Sequence, residues 1–214
     1  LGMLNHQRGK AGEAYRLLTA ALKVQPRSPD ALSNIALVLH ALKRDDEALA
    51  VLDKALAFAP DHADALNNRG TILLDLKRPA EAVTAFDAVL VRHPQHLQAL
   101  VNRGNARSDL GQGDAALVDF DAALALAPGH PLTRYNRGNV LRALGRPQEA
   151  IADYERALAA APNHVNAWFN RGMALAALNR HQDALASYGR VLALQAGHAD
   201  AHFSTAMSLL TLGD

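Results

Sequence analysis

Residues 63–96 read ADALNNRGTILLDLKRPAEAVTAFDAVLVRHPQH, and residues 97–130, which follow directly, read LQALVNRGNARSDLGQGDAALVDFDAALALAPGH. Laid over each other, they match Asn68-Arg69-Gly70 with Asn102-Arg103-Gly104, Ala82 with Ala116, Phe86 with Phe120, and Pro94 with Pro128. The register extends both ways. Prolines fall at Pro26, Pro60, Pro94, Pro128 and Pro162, each 34 residues from the next. Ten residues after the last four stand Gly70, Gly104, Gly138 and Gly172, Gly2 keeps the same phase, and Ala36 replaces the glycine once. Twelve before each proline lies Ala14, Ala48, Ala82, Ala116 or Ala150, and eight before it Leu18, Leu52, Phe86, Phe120 or Tyr154. Such periods mark stacked units, each too small to bury its own apolar face.

Each unit reads as two antiparallel helices. In 63–96 a first helix is predicted from about Ala63 to Leu76, Lys77-Arg78-Pro79 makes the turn, and a second helix runs to about Arg92 before Pro94 separates it from the next pair. Pro79 and Pro147 suit the first turn of a helix, where a missing N–H costs nothing. Gly70 and its equivalents are expected where the two helices come closest, with the small alanines receiving the neighbouring helix. Leu42, Leu76, Leu110, Leu144 and Leu178 close the far ends of the first helices.

Composition agrees with an all-helical chain. Of 214 residues, 50% are hydrophobic and 20% charged, only 5% are aromatic, and alanine, the best helix former, is abundant throughout. With 22 basic and 21 acidic residues spread evenly, net charge is +1 and no basic stripe for nucleic acid is evident. No apolar run of about 18 residues exists to span a membrane. Cysteine is absent, which excludes disulfides and thiol chemistry without fixing a compartment, so cytoplasmic residence is the default.

A 34-residue period with W-x2-L-G-x2-Y, then A-x3-F, then P resembles the tetratricopeptide repeat. The fullest match is Trp168-x2-Arg171-Gly172-x2-Leu175 followed by Ala184-x3-Tyr188, with Ala196-Gly197 where the proline belongs. The register places full repeats at 29–62, 63–96, 97–130, 131–164 and 165–198, with partial repeats at 1–28 and 199–214, in a single array. Both ends cut a repeat, so a piece of a larger protein is expected. The resemblance implies an all-α, right-handed superhelical solenoid of antiparallel helix pairs, with first helices lining its concave side.

At the sixth position of five successive repeats stand Asn34, Asn68, Asn102, Asn136 and Asn170, with Ser204 in the last. The family places this position on the first helix, facing the groove. Asparagine is a mediocre helix former, so five at mid-helix call for a reason. An amide both donates and accepts, and helices about 8–10 Å apart would offer one amide to roughly every third residue of an extended peptide. The ladder is similar to the one in the repeats of O-linked N-acetylglucosamine transferases, which holds extended peptides. The alternative is that the amides bond neighbouring helices and shape the groove.

Around the ladder the expected groove is graded. Its middle is polar, with Asn67, Thr71, Asn105, Asp109 and Asn139. Toward the C-terminus it turns apolar, with Tyr135, Phe169 and Met173 as anchors, and with Phe203 and Met207, which a further segment would cover. Arg69, Arg103, Arg137 and Arg171 form a second ladder, whose stems are expected to pack between helices while the heads reach water and Asp64, Asp75 and Asp109 offset the charge. His62, His96, His130, His164 and His198 close each repeat, and His6 and His40 share another phase. Equivalent histidines a helix diameter apart cannot converge at about 2 Å on one ion, so these belong to the turns and no metal or cofactor is expected. Asp30, Asp64 and Asp200 suit the positive ends of first helices.

No phosphate loop, H-E-x-x-H or nucleophile elbow occurs. The clamp by which some family members hold chaperone tails needs lysine at the fifth position, where this chain has Ser33, Asn67 and Val101. The reading is a non-catalytic protein–protein interaction scaffold whose partner is a protein or extended peptide, not nucleic acid or membrane. Two alternatives stand beside it: the substrate-recognition arm of a glycosyltransferase-type enzyme, with its catalytic domain beyond Asp214, or a scaffold that self-assembles through open repeat ends.

Overall fold

The computed structural model describes the backbone of residues 2–213 and side chains from Lys10 onward, so the phased His6 lies outside the described side chains. The described residues form twelve α-helices. They are α1 (Gly2–Val24), α2 (Pro29–Ala41), α3 (Asp45–Phe58), α4 (Ala63–Asp75), α5 (Pro79–Arg92), α6 (Leu97–Asp109), α7 (Gly113–Leu126), α8 (Pro131–Ala143), α9 (Pro147–Ala160), α10 (Val165–Ala176), α11 (His181–Leu194) and α12 (Ala199–Leu212). No helix among them is long and apolar enough to cross a membrane. The chain divides into two compact units, Leu1–Leu110 and Gly111–Asp214.

Both units are built alike. In the first, α2 pairs with α3 and α4 with α5, while α2 packs beside α4 and α4 beside α6. In the second, α8 pairs with α9 and α10 with α11, and α8, α10 and α12 run side by side. The second helices α3 and α5, or α9 and α11, do not approach one another in this way. Within each unit the first helices therefore line the tighter, inner face. Helix α1 departs from the hairpin pattern. It runs unbroken through Arg8-Gly9-Lys10, the register of the turn Leu42-Lys43-Arg44.

Three of the hairpins close on a glycine. A Cβ added at Gly70 would lie 2.5 Å from the Phe86 ring, one at Gly138 2.7 Å from Tyr154, and one at Gly172 2.4 Å from Tyr188. These three rings are among the largest fully buried side chains. Where Ala36 replaces the glycine, Leu52 replaces the ring, and both are buried, so one methyl group gained is matched by a smaller partner.

The ends of the helices explain the other phased positions. His62, His96, His130, His164 and His198 are N-caps: each Nδ1 accepts the backbone N–H three residues on, at 3.1–3.3 Å. Ser28 does the same for α2 through Oγ at 3.3 Å. An Nδ1 that accepts leaves the ring proton on Nε2, and His62 Nε2 donates it to Asp30 Oδ1 at 2.9 Å. At the other end, Leu42, Leu76, Leu110 and Leu144 are C-caps, followed by residues in the left-handed region at Lys43, Lys77, Gly111 and Gly145; Asn179 takes the same conformation after Leu178. Arg134, Trp168 and His202, in one register, each reach a backbone carbonyl six residues earlier, Trp168 Nε1 donating to Pro162 O at 2.8 Å.

Two outcomes follow for unfolding experiments. Gly70→Ala gains about 1 kcal/mol of helix propensity but meets the Phe86 ring, so a net loss of about 1–2 kcal/mol is expected in urea unfolding. The double variant Gly70→Ala/Phe86→Leu, which copies Ala36 and Leu52, recovers most of it. His62→Ala lowers stability by about 1 kcal/mol, and His62→Ser, copying Ser28, restores it.

Candidate functional site

The amide ladder lies on the first helices, and Asn68, Asn102 and Asn170 face the preceding first helix. Asn68 Nδ2 donates to Ser33 Oγ at 2.9 Å, Asn102 Nδ2 to Thr71 Oγ1 at 3.2 Å, and Asn170 Nδ2 to Asn139 Oδ1 at 2.8 Å and to the Tyr135 hydroxyl at 3.3 Å. Gln98 Nε2 donates to Asn102 Oδ1 at 2.9 Å. One N–H of each of these amides thus bridges to the repeat before it, and the ladder contributes to the stack whatever else it holds. Asn34 differs: it is exposed and makes no hydrogen bond to another side chain among the described residues. Asn136 and Asn105 are partly buried and engaged within the protein.

The structure keeps the remaining predicted groove residues on the same helices and shows what they touch. Asn67 is partly buried, and its Oδ1 is enclosed without a hydrogen-bond partner. Asn139 Oδ1 accepts from the buried Tyr154 hydroxyl at 2.9 Å as well as from Asn170. Tyr135 lies 4.6 Å from the His164 ring and Phe169 stacks on His198 at 5.1 Å, so the two aromatic anchors brace the capping histidines. Met173, Phe203 and Met207 are exposed. In the first unit, Asp30, Ser33, Asn34, Leu37, Asp64 and Asn68 line a hollow of about 260 Å³ on the inner face. A larger hollow, of about 610 Å³, is lined by Ala63, Asp64, His93, Pro94, Gln95 and His96, so Asp64 stands on the rim of both.

The arginine ladder faces the second helices, with its guanidinium groups paired at the solvent edge. Arg69 pairs with Asp53 at 3.1 Å, Arg103 with Asp87 at 2.6 Å, Arg137 with Asp121 at 3.1 Å and Arg171 with Glu155 at 2.8 Å, always a carboxylate sixteen residues back. Asp64, Asp75 and Asp109, expected from sequence to offset these charges, do not make these bonds. The true partners were visible in the sequence as a 34-residue series of their own at Asp53, Asp87, Asp121 and Glu155. Arg137 also approaches the buried Asp153 at 3.3 Å, and Arg134 donates to it at 3.1 Å. Burial nevertheless raises the Asp153 carboxyl above its ordinary range, against the pull of Arg137 and Arg134. His40 bridges Asp45 at 2.6 Å and Asp75 at 2.9 Å. No group of three or more candidate ligands that could hold a metal ion occurs among the described residues.

Helix hairpins at a 34-residue period, a glycine closing the hairpins and first helices ranked along one face define a helical repeat protein. The chain belongs to the tetratricopeptide-repeat family: models of that repeat match residues 6–68, 46–104, 95–163, 135–198 and 169–214. Solved structures share the fold. PilF of Pseudomonas aeruginosa is similar at 22% identity and a TM-score of 0.82, covering 97% of this chain and 94% of its own. YrrB, described as a TPR protein with an unusual peptide-binding site, has 23% identity and a TM-score of 0.73, covering 87% of this chain and 96% of its own. MamA of Desulfovibrio magneticus RS-1 has 23% identity and a TM-score of 0.72, covering 80% of this chain and 97% of its own. No curated protein sequence matches.

The enclosed Tyr154 gives the structure a pH signature. Burial pushes its phenol up from 10.0 to about 12, and burial raises Tyr188 in the same direction. The unfolded chain ionises these phenols near 10 while the folded chain keeps the protons, so stability is intact below that pH and falls as pH rises from about 10 to 12. Tyr154 alone accounts for roughly 2–3 kcal/mol. Tyr154→Phe is expected to remove both a late component from the near-ultraviolet tyrosine titration and part of the alkaline loss.

Proposed function

We propose that this chain is a non-catalytic scaffold that holds an extended segment of a partner protein along its first helices. The observation that carries this reading is the row of amides and hydroxyls on the inner face, one set per repeat, at a spacing an extended peptide matches every third residue or so. The amides that bridge to the preceding helix keep acceptor capacity, and Asn34 presents its amide at an exposed position beside Leu37. A backbone gripped this way is held with little regard for its side chains. At about 0.5–1.5 kcal/mol per hydrogen bond, binding is weak and tolerant. Within the second unit, Tyr135, Phe169 and Met173 stand on the first helices α8 and α10 and add apolar contacts to a bound segment. The description of YrrB as having a peptide-binding site supports the reading by likeness of fold.

An array of immobilised random peptides, each about ten residues long to span three helices, tests it. Asn34→Ala/Leu37→Ala is expected to keep the native melting temperature, because neither side chain is buried, yet to lose most of the peptides that the native protein retains. Val91→Ser, on the second-helix side, is expected to keep them. If both variants retain the native set, the inner face is not the site.

A further inference from the structure

We propose that the segment held on the inner face of the Leu1–Leu110 unit carries a lysine or arginine that docks on Asp64. This rests on the peptide-binding reading above and adds the chemistry of the partner. Asp64 is exposed at the start of α4 and lines both the inner-face hollow and the larger hollow beside the connection from α5 to α6. Its equivalent one repeat earlier, Asp30, is bonded to His62 at 2.9 Å, and the carboxylates at Asp53 and Asp87 are engaged by the arginine ladder. Asp64 makes no hydrogen bond or ion pair with any described residue, and no lysine or arginine lines either hollow.

An amide oxygen beside the carboxylate is also open to a donor. Asn68, which lines the smaller hollow with Asp64, spends an N–H on Ser33 at 2.9 Å, while its oxygen bonds no other described side chain. A cationic side chain brings three to five N–H groups and no acceptor, which complements this set. Leu37, 40% exposed in the same hollow, suits the methylene stem of such a side chain. A neutral or acidic segment leaves the carboxylate uncompensated or repels it.

The test uses the full chain and three fluorescent peptides of about ten residues, in which serine alternates with lysine, glutamine or glutamate. Binding is followed by anisotropy for the native protein, Asp64→Asn and Asp46→Asn, the last an equal charge change on the exposed side of α3. The lysine peptide is expected to bind most tightly, to weaken as salt is added, and to lose about fivefold in affinity with Asp64→Asn but not with Asp46→Asn. If the two variants behave alike, or the glutamine or glutamate peptide binds as well as the lysine peptide, the proposal is wrong while peptide binding stands. If the random array yields ligands without basic residues and the lysine peptide fails to bind, the proposal is again wrong. If no peptide of either set binds, the functional reading falls with it.

Discussion

Between Gly70 and the ring of Phe86 there is no space for a single methyl group, and the same holds between Gly138 and Tyr154 and between Gly172 and Tyr188. That close approach sets how far apart the two helices of a hairpin lie. With the hairpins closed, the first helices pack side by side and the second helices stay apart, which fixes the face on which asparagines come together. The pair at Ala36 and Leu52 shows that the constraint is on the sum of two volumes rather than on glycine itself. A change on one side of the contact has to be answered on the other.

The two faces of the stack use polar groups differently. Behind the first helices, arginines meet carboxylates of the preceding second helix, and the buried Asp153 sits between two of them. Those charges are spent on structure. Along the inner face the polar groups are mostly neutral amides and hydroxyls that bridge one helix to the next. Neutral groups can be left partly satisfied at small cost, whereas a half-buried ion cannot. The inner face proposed to hold a peptide can therefore stand empty at little cost when it is made of amides.

The fold was legible because its signals repeat. One Pro94 or Gly70 would be weak, but five prolines and four glycines in register leave little choice, and the boundaries of α4 and α5 fell within a residue of expectation. The arginine pairing was also written in the sequence, in the phase of Asp53, Asp87, Asp121 and Glu155, but it requires looking for two periodic series at once. The capping role of His62 and its relatives was not legible. It depends on a backbone turn that brings Nδ1 within 3.2 Å of an amide three residues on, and histidine is not among the residues that usually announce a helix start. Similarly, spacing alone could not show that Asn68 points an N–H at Ser33, because an amide on the inner face reaches a neighbour and a ligand from the same position. Tyr135 and Phe169 were legible as aromatic positions on that face, but not as supports of His164 and His198.

The arginine ladder has a consequence for how such a chain can change over time. Arg69 takes its partner from the hairpin before it, as does Arg171, so each pair ties one repeat to its predecessor at a fixed offset. Duplicating or deleting one whole repeat reproduces every offset, every glycine-to-ring contact and every cap. An insertion of any other length inside a hairpin breaks one of them. The gene can therefore lengthen or shorten the protein in a single size of step, and a family of such chains is expected to differ in the number of turns of the stack far more than in the anatomy of any one turn.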